Sequence, residues 1–352
     1  MTSARLTGPV QIIGAGLLGT SIGLALSRLG LKVSISDLSS ASQSLAQDMG
    51  AGTAGKSAEA VQLVVVCVPP DSSARVIAEQ LDQHPNATVT DVASVKAQIL
   101  DDLVEMGADL TRYVGSHPMA GRERGGALAA RGDLFAGRPW VIAASDQSSS
   151  AAVQTVEALA LDLGGVLFHF DPEEHDRAVG LVSHVPQVIS SLLAAQLNSA
   201  SAEHLSLAGQ GLRDTTRIAA SDSKLWLQIL QGNSIAVLNV LKSFRVELDS
   251  LMEALANPNA AGALTKIGKI LELGNSGVAK IPGKHGAKSD DYARVIVMID
   301  DRPGELARLL TEVGEAGINL EDLKLEHSPG AEIGLVELFV LPEVESSLVA
   351  AL

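Results

Sequence analysis

Five short runs in this chain carry side chains that can do chemistry together. The first is Val10-Gln-Ile-Ile-Gly14-Ala-Gly16-Leu17-Leu18-Gly19, in which an apolar strand turns through glycines into an apolar helix. Such a turn cradles the pyrophosphate of a dinucleotide. Gly14 permits the tight bend, Gly16 lets backbone approach the phosphates, and Gly19 lets the new helix pack closely on its strand, with its first amides facing the anion. A second strand, 32–36, ends at Asp37, about 20 residues on, where a carboxylate accepts hydrogen bonds from both hydroxyls of an adenosine ribose. The same carboxylate repels a 2′-phosphate. No arginine follows in Leu38-Ser39-Ser40-Ala41, so the expected cofactor is NAD rather than NADP.

The other four runs supply acid, base and cation. They are Asp91-Val-Ala-Ser94-Val-Lys96; Gly115-Ser116-His117-Pro118-Met119-Ala120-Gly121-Arg122-Glu123; Ser183-His184-Val185-Pro186; and Arg213-Asp214-Thr215-Thr216-Arg217. Histidines, cations and a serine hydroxyl gathered beside a nicotinamide can oxidise an alcohol on a carboxylated substrate. Some of these residues have a second reading. Asp214 and Arg217 have the three-residue spacing of an ion pair along one helix, and His184 and Glu123 suit structural roles as well as substrate contact. His169, His175 and His204 read as ordinary surface or boundary residues. No His, Cys and acid grouping has metal-ligand spacing.

The elements that must position these groups follow from apolar periodicity. The N-terminal part alternates strands (63–68, 88–91, 113–116, 140–144, 165–170) with helical segments, which predicts a doubly wound, Rossmann-type parallel sheet over 1–170. Ligands bind at the carboxyl ends of such strands. From 173 to about 255 the apolar residues recur at helical spacing, with breaks near 198–202 and 221–222, so an all-α domain is expected over 171–285. A linker rich in Gly, Lys and Ser (274–289) then leads to a small α+β unit over 290–352.

Composition narrows the function. The chain has 352 residues, enough for two or three domains, with 46% hydrophobic and 19% charged. The formal net charge of −15 opposes binding to nucleic acid or anionic lipid. A single cysteine, Cys67, lies in an apolar run and is expected in the core of a cytoplasmic protein. The longest run without charge, 178–202, contains His184, Pro186, Gln187, Gln196 and Asn198 and is expected as buried helix rather than a membrane span.

In this order the glycine turn, Cys67-Val68-Pro69-Pro70, Ala93-Ser94-Val95-Lys96, Gly115-Ser-His-Pro-Met-Ala-Gly121 and Arg213-Asp-Thr-Thr-Arg217 resemble the prephenate dehydrogenase family. The resemblance covers 10–255. It implies NAD-dependent oxidative decarboxylation of prephenate to 4-hydroxyphenylpyruvate, with arogenate as the alternative substrate, and a homodimer formed through the helical domain. On this resemblance His117 is the catalytic base and Ser94 contacts both it and the substrate hydroxyl. Arg217 binds substrate carboxylate, while Asp214, Trp226, His184 and Glu123 line or position the pocket. Val68 and Pro69 join Gly14, Gly16, Leu17, Leu18, Gly19 and Asp37 around the cofactor. Two rivals are another Rossmann hydroxyacid or imine oxidoreductase, which usually places a catalytic Lys or Asp in its helical domain, and a nonenzymatic cofactor sensor.

The C-terminal unit carries a resemblance of its own. Strand 293–299 runs into Asp301-Arg302-Pro303-Gly304, an amphipathic helix follows, and Gly317-Ile318-Asn319 opens another strand. This is similar to the ACT module, a ferredoxin-like unit that binds amino acids. It implies tyrosine as a feedback inhibitor, with Asp301, Arg302, Pro303, Gly304 and Asn319 as regulatory contacts; an assembly role without ligand is the alternative. The fourth strand of that module has no counterpart in the sequence.

Overall fold

A computed structural model describes residues 4–121, 125–282, 292–327 and 333–352. The chain divides into two compact units, residues 1–191 with 218–241, and residues 192–217 with 242–352.

The first unit is built on an eight-stranded sheet. Its elements run β1 (Val10–Ile13), α1 (Leu17–Arg28), β2 (Val33–Ser36), α2 (Ser40–Asp48), β3 (Thr53–Ala54), β4 (Leu63–Val66), α3 (Pro70–Gln83), β5 (Thr88–Asp91), α4 (Ala97–Glu105), β6 (Tyr113–Pro118), β7 (Pro139–Ala143), α5 (Ser150–Asp162) and β8 (Val166–His169). The spatial order is β3-β2-β1-β4-β5-β6-β7-β8. Helices cover both faces, so the central strands read as unbroken apolar runs, and all four residues of β4 (Leu-Val-Val-Val) are buried. One apolar cluster contains Ile12, Ile22, Leu26, Ile35, Leu63 and Trp140, and another contains Val64, Val66, Ile77, Val89 and Leu103. Local chemistry sets the helix starts: Ser39 and Ser149 cap α2 and α5 through their side chains, and Pro70 opens α3. β1 pairs on one side with β2 and on the other with β4, so the chain reverses its winding there and opens a crevice beyond the carboxyl ends of the strands.

The expected parallel sheet is parallel except at one joint. β7 runs antiparallel to β6, with Gly115 facing Ala143 and His117 facing Val141. A parallel return needs a crossover, usually a helix, and between these strands the described residues hold only the short 3-10 turn Ala127–Ala129.

Helices follow: α6 (Pro172–Val179), α7 (Val185–Gln196), α8 (Ala202–Leu205), α9 (Gln210–Thr216), α10 (Ser223–Gly232), α11 (Ser234–Ala256) and α12 (Ala263–Val278). Asp171 caps α6 by accepting from the amide of Glu174. Gly180–His184 forms one turn of wider π geometry between α6 and α7. The continuous helical stretch 172–199 is long and apolar enough to cross a membrane by length and composition alone. The expectation of a buried helix needs correcting, because only a third of its apolar window is buried and Leu181, Val182, Leu192 and Leu193 are exposed. Helix α12 also continues to Val278, into the run expected as linker.

The C-terminal part comprises β9 (Ala293–Asp300), α13 (Glu305–Glu315), β10 (Asp322–His327), β11 (Ile333–Val340) and α14 (Glu345–Ala351). The strands form an antiparallel sheet in the order β10-β11-β9. Ile299, Val336, Leu338 and Val340 pack with Leu309, Val313 and Leu348 of the helices.

Candidate active site

The glycine turn meets three separate demands. Gly14 has φ +108°, and a Cβ there would lie 2.4 Å from the carbonyl oxygen of Cys67. A Cβ on Gly19 would lie 1.9 Å from the carbonyl oxygen of Gly14, so only glycine lets α1 start this close to the turn. Gly16 is different: a Cβ there would meet nothing within 4 Å. It faces open space, as a backbone that approaches a ligand must. Gly16 is also the N-cap of α1, no side chain caps that helix, and its first turn, which includes Leu17 and Leu18, holds no acid. The free amides and the positive end of the helix dipole therefore fit the pyrophosphate of NAD. Asp37 accepts hydrogen bonds from the amides of Ala15 (2.6 Å) and Ser39 (2.7 Å), fixing the glycine turn against the loop after β2. Val68 and Pro69 follow β4 alongside, and burial raises the Cys67 thiol pKa and keeps the group protonated.

The reactive end centres on His117, a buried residue of β6. Its Nδ1 lies 2.9 Å from Nε2 of His175, whose Nδ1 lies 2.8 Å from Oδ1 of Asp176. Asp176 in turn accepts from the backbone amides of Lys96 (2.9 Å) and Ala97 (3.0 Å), at the start of α4. The expectation that His175 is a surface or boundary residue is overturned: it is 1% exposed and bonded at both ring nitrogens. Below this chain Lys96 pairs with Asp91, which also accepts from Tyr113 Oη (2.8 Å) and the amide of Ala93 (2.8 Å). Burial holds His117 well below the usual histidine range, and positive charge on its neighbours, on His175 when that ring is protonated, on Lys96, and on His184 when protonated, pushes the same way. Its imidazole is therefore neutral at pH 7.

His184, at the end of the wide turn, is also buried. Nδ2 of Asn233 donates to the carbonyl oxygen of Asp176 (2.7 Å) and to Nδ1 of His184 (3.0 Å). With Nδ1 accepting, a neutral His184 carries its proton on Nε2. Burial lowers its pKa to about 4 against the opposing charge of Asp176. Trp226 of α10 packs edge-on to it, with ring centroids 5.9 Å apart.

Ser94 lies half-buried in the loop between β5 and α4, three residues beyond Asp91. Ser94, His117, His184 and Trp226 all belong to the first unit, whereas Asp214 and Arg217 belong to the second. Asp214 accepts from Nε2 of Gln210 (2.8 Å) on the same helix. Glu123 lies outside the described residues. In the C-terminal part Asp301, Arg302, Pro303 and Gly304 form the exposed turn before α13, and Asn319 is exposed just after it, its amide donating to Glu321 (3.0 Å). His169 and His204 are exposed, the former beside Glu157. Sequence reasoning missed Asn233 and Asp176: the partners of Asn233, and the two amides that Asp176 receives, lie about 50 to 80 residues away along the chain, and no local pattern signals them.

Residues 22–169 match the family model described as prephenate dehydrogenase, nucleotide-binding domain, and residues 171–268 that described as prephenate dehydrogenase, dimerization domain. A probable prephenate dehydrogenase of Streptomyces niveus is 37% identical over 344 residues, spanning 96% of this chain and 95% of that one. The prephenate dehydrogenase of Lactococcus lactis is 28% identical over 254 residues, 69% of this chain and 70% of its own. A crystal structure of prephenate dehydrogenase from Aquifex aeolicus, in complex with hydroxyphenyl propionate and NAD+, superposes with a TM-score of 0.68 at 27% identity, covering 78% of this chain and 100% of that one. Synechocystis arogenate dehydrogenase superposes with a TM-score of 0.63 at 23% identity over 77% of this chain and 100% of its own, a likeness of fold.

Proposed function

The chain belongs to the prephenate dehydrogenase family, and from that premise we infer how its own residues carry out the oxidative decarboxylation of prephenate. When bound, NAD supplies the hydride acceptor. His117 accepts the proton of the ring hydroxyl at Nε2 as the hydride leaves the same carbon. Loss of carbon dioxide then hands the ring its electrons, and the phenolate oxygen takes the proton back. The observation that carries this reading is the environment of His117, whose burial keeps the ring neutral and able to accept.

The other residues have supporting roles. Ser94, in the loop beside β6, holds the substrate hydroxyl toward His117. His184 presents a neutral Nε2–H, so it donates to a substrate oxygen, and Trp226 holds its ring. Arg217, with Asp214 near it in sequence, takes a substrate carboxylate through a permanently charged, bidentate fork, and Glu123 helps position the pocket. The enzyme works in the cytoplasm as a homodimer through 171–285, a reading supported by the apolar residues exposed on those helices. Residues 290–352 act as an ACT-like module that takes tyrosine. The test is steady-state kinetics with prephenate and arogenate, each with NAD and NADP. Turnover of prephenate with NAD at the highest kcat/KM is expected, and a preference for arogenate reassigns the substrate.

A further inference from the structure

The hydrogen bonds behind His117 form a chain whose direction is fixed from its far end. Asp176 receives two backbone amides at the start of α4, a helix whose N-cap, Lys96, offers no side-chain cap of its own. A carboxylate in that position is stabilised as an acceptor by the amides and the helix dipole. It therefore holds a proton on the facing Nδ1 of His175. When His175 carries a single ring proton, its Nε2 has none and must accept. The nitrogen facing it at 2.9 Å, Nδ1 of His117, must then donate. The outcome is a His117 with Nε2 bare. Asn233, the C-cap of α10, closes the arrangement by donating to the backbone carbonyl of Asp176.

We propose that His175 and Asp176 form a proton relay behind His117, in which His175 fixes the basic tautomer of His117 and takes up its Nδ1 proton when Nε2 receives the proton of the substrate hydroxyl. This rests on the reading of His117 as the base. The step balances without any further reactant. The N–H bond at Nε2 of His117 forms as the substrate O–H breaks, and the N–H bond at Nδ1 breaks as one forms at Nε2 of His175. Positive charge moves from His117, where burial and Lys96 disfavour it, to His175 beside the Asp176 carboxylate. The hydroxyl is protonated in both the cyclohexadienol and the phenol, so the reaction needs a store that gives the proton back, and both shifts reverse when the phenolate forms. Among the described residues, the charged and titratable groups that act on His117 are His175 of α6, Lys96 at the start of α4 and His184 of the wide turn, with Asp176 bonded to His175, Asp91 to Lys96 and Tyr113 to Asp91. His175 is thus a positioning residue that acts through His117.

The discriminating variant is His175→Gln, whose amide oxygen can accept from Nδ1 of His117 but whose side chain cannot take a proton on. Expected are a 10- to 100-fold fall in kcat, unchanged KM for prephenate and NAD affinity, and a proton inventory in H2O/D2O mixtures that changes from bowed, with two protons in flight, to linear. Wild-type kcat in this variant overturns the relay. Nitrogen-15 NMR of histidine-labelled wild-type enzyme needs no substitution and should find His117 with its proton on Nδ1; a proton on Nε2 overturns the proposal. Asp176→Asn should mix that tautomer, and a tautomer unchanged in this variant also counts against it. His117→Asn separates this proposal from its premise: full turnover there refutes the base assignment itself, whereas an inactive His117→Asn beside a fully active His175→Gln refutes the relay alone.

Discussion

His117 owes its chemistry to its surroundings more than to its type. An exposed histidine is partly protonated near pH 6.5, but burial and three neighbouring groups hold this one well below that value. The sign follows directly. Protonation removes the base, and a lowered pKa postpones protonation to lower pH, so kcat/KM, which reports the free enzyme, stays level through pH 6.5 and falls only below it. An acid limb at or above pH 6.5 contradicts the buried, neutral ring. His117→Asn should lower kcat by roughly 10² to 10⁴ and leave NAD affinity unchanged in a direct binding titration. At the cofactor's other end, Asp37→Ser should narrow the preference for NAD over NADP, because it removes both ribose acceptors and the charge that repels a 2′-phosphate. Selectivity unchanged in kcat/KM ratios moves the determinant elsewhere. The positions of His117, Ser94 and Asp37 at or near the ends of strands were legible in the sequence, since each sits in a run whose neighbours announce a turn or a strand end. His175 was not. The role proposed for it rests on a contact 58 residues away, between a helix and a strand, and no local pattern carries that information.

At the scale of elements, the glycine turn shows how one motif separates folding from binding. Gly19 touches protein and Gly16 does not, so the two alanine variants should part company. In Gly19→Ala the new Cβ would lie 1.9 Å from a backbone oxygen, and the start of α1 must shift. Both the melting temperature and NAD affinity should fall. In Gly16→Ala the methyl enters open space, so the melting temperature should hold while NAD affinity, read by fluorescence titration, drops at least tenfold. Equal stability losses in the two would mean that Gly16 serves packing instead. The strand and helix pattern was readable because fully buried parallel strands are apolar at every position, as in β4. The reversal at β7 was not readable, since strand direction depends on the connection and a strand has the same composition either way. The wide turn at Gly180–His184 was equally hidden: the sequence there continues a helical pattern, and the extra residue per turn shows only in the hydrogen bonds that aim His184 at Asn233.

At the scale of the molecule, the single chain leaves more apolar helix surface uncovered than its composition led us to expect. Leu181 and Val182 of the wide turn and Leu192 of α7 are exposed, as are Ile235, Val246 and Met252 along α11. A second copy is the occupant that the dimerization-domain match suggests. Sedimentation should therefore give a dimer mass that survives dilution to micromolar concentration, and a monomer at that concentration refutes it. The C-terminal part adds a constraint on regulation. Its two candidate contact runs, Asp301-Arg302-Pro303-Gly304 and Gly317-Ile318-Asn319, lie at opposite ends of α13, which has 11 residues and so extends about 16 Å. A tyrosine is shorter than that, so one ligand reaches both runs only where two copies bring unlike ends together. Tyrosine held in that way couples to pairing of the chains, and by linkage it shifts the two states only as far as it binds one better than the other. In the full-length enzyme, Asp301→Ala and Asn319→Ala should each abolish the part of tyrosine inhibition that excess prephenate cannot overcome, with kcat in the absence of tyrosine unchanged. Tyrosine also resembles substrate and product, so competition at the active site is the simpler source of inhibition. If inhibition is purely competitive and identical in both variants, the C-terminal module takes no part in it and serves assembly alone.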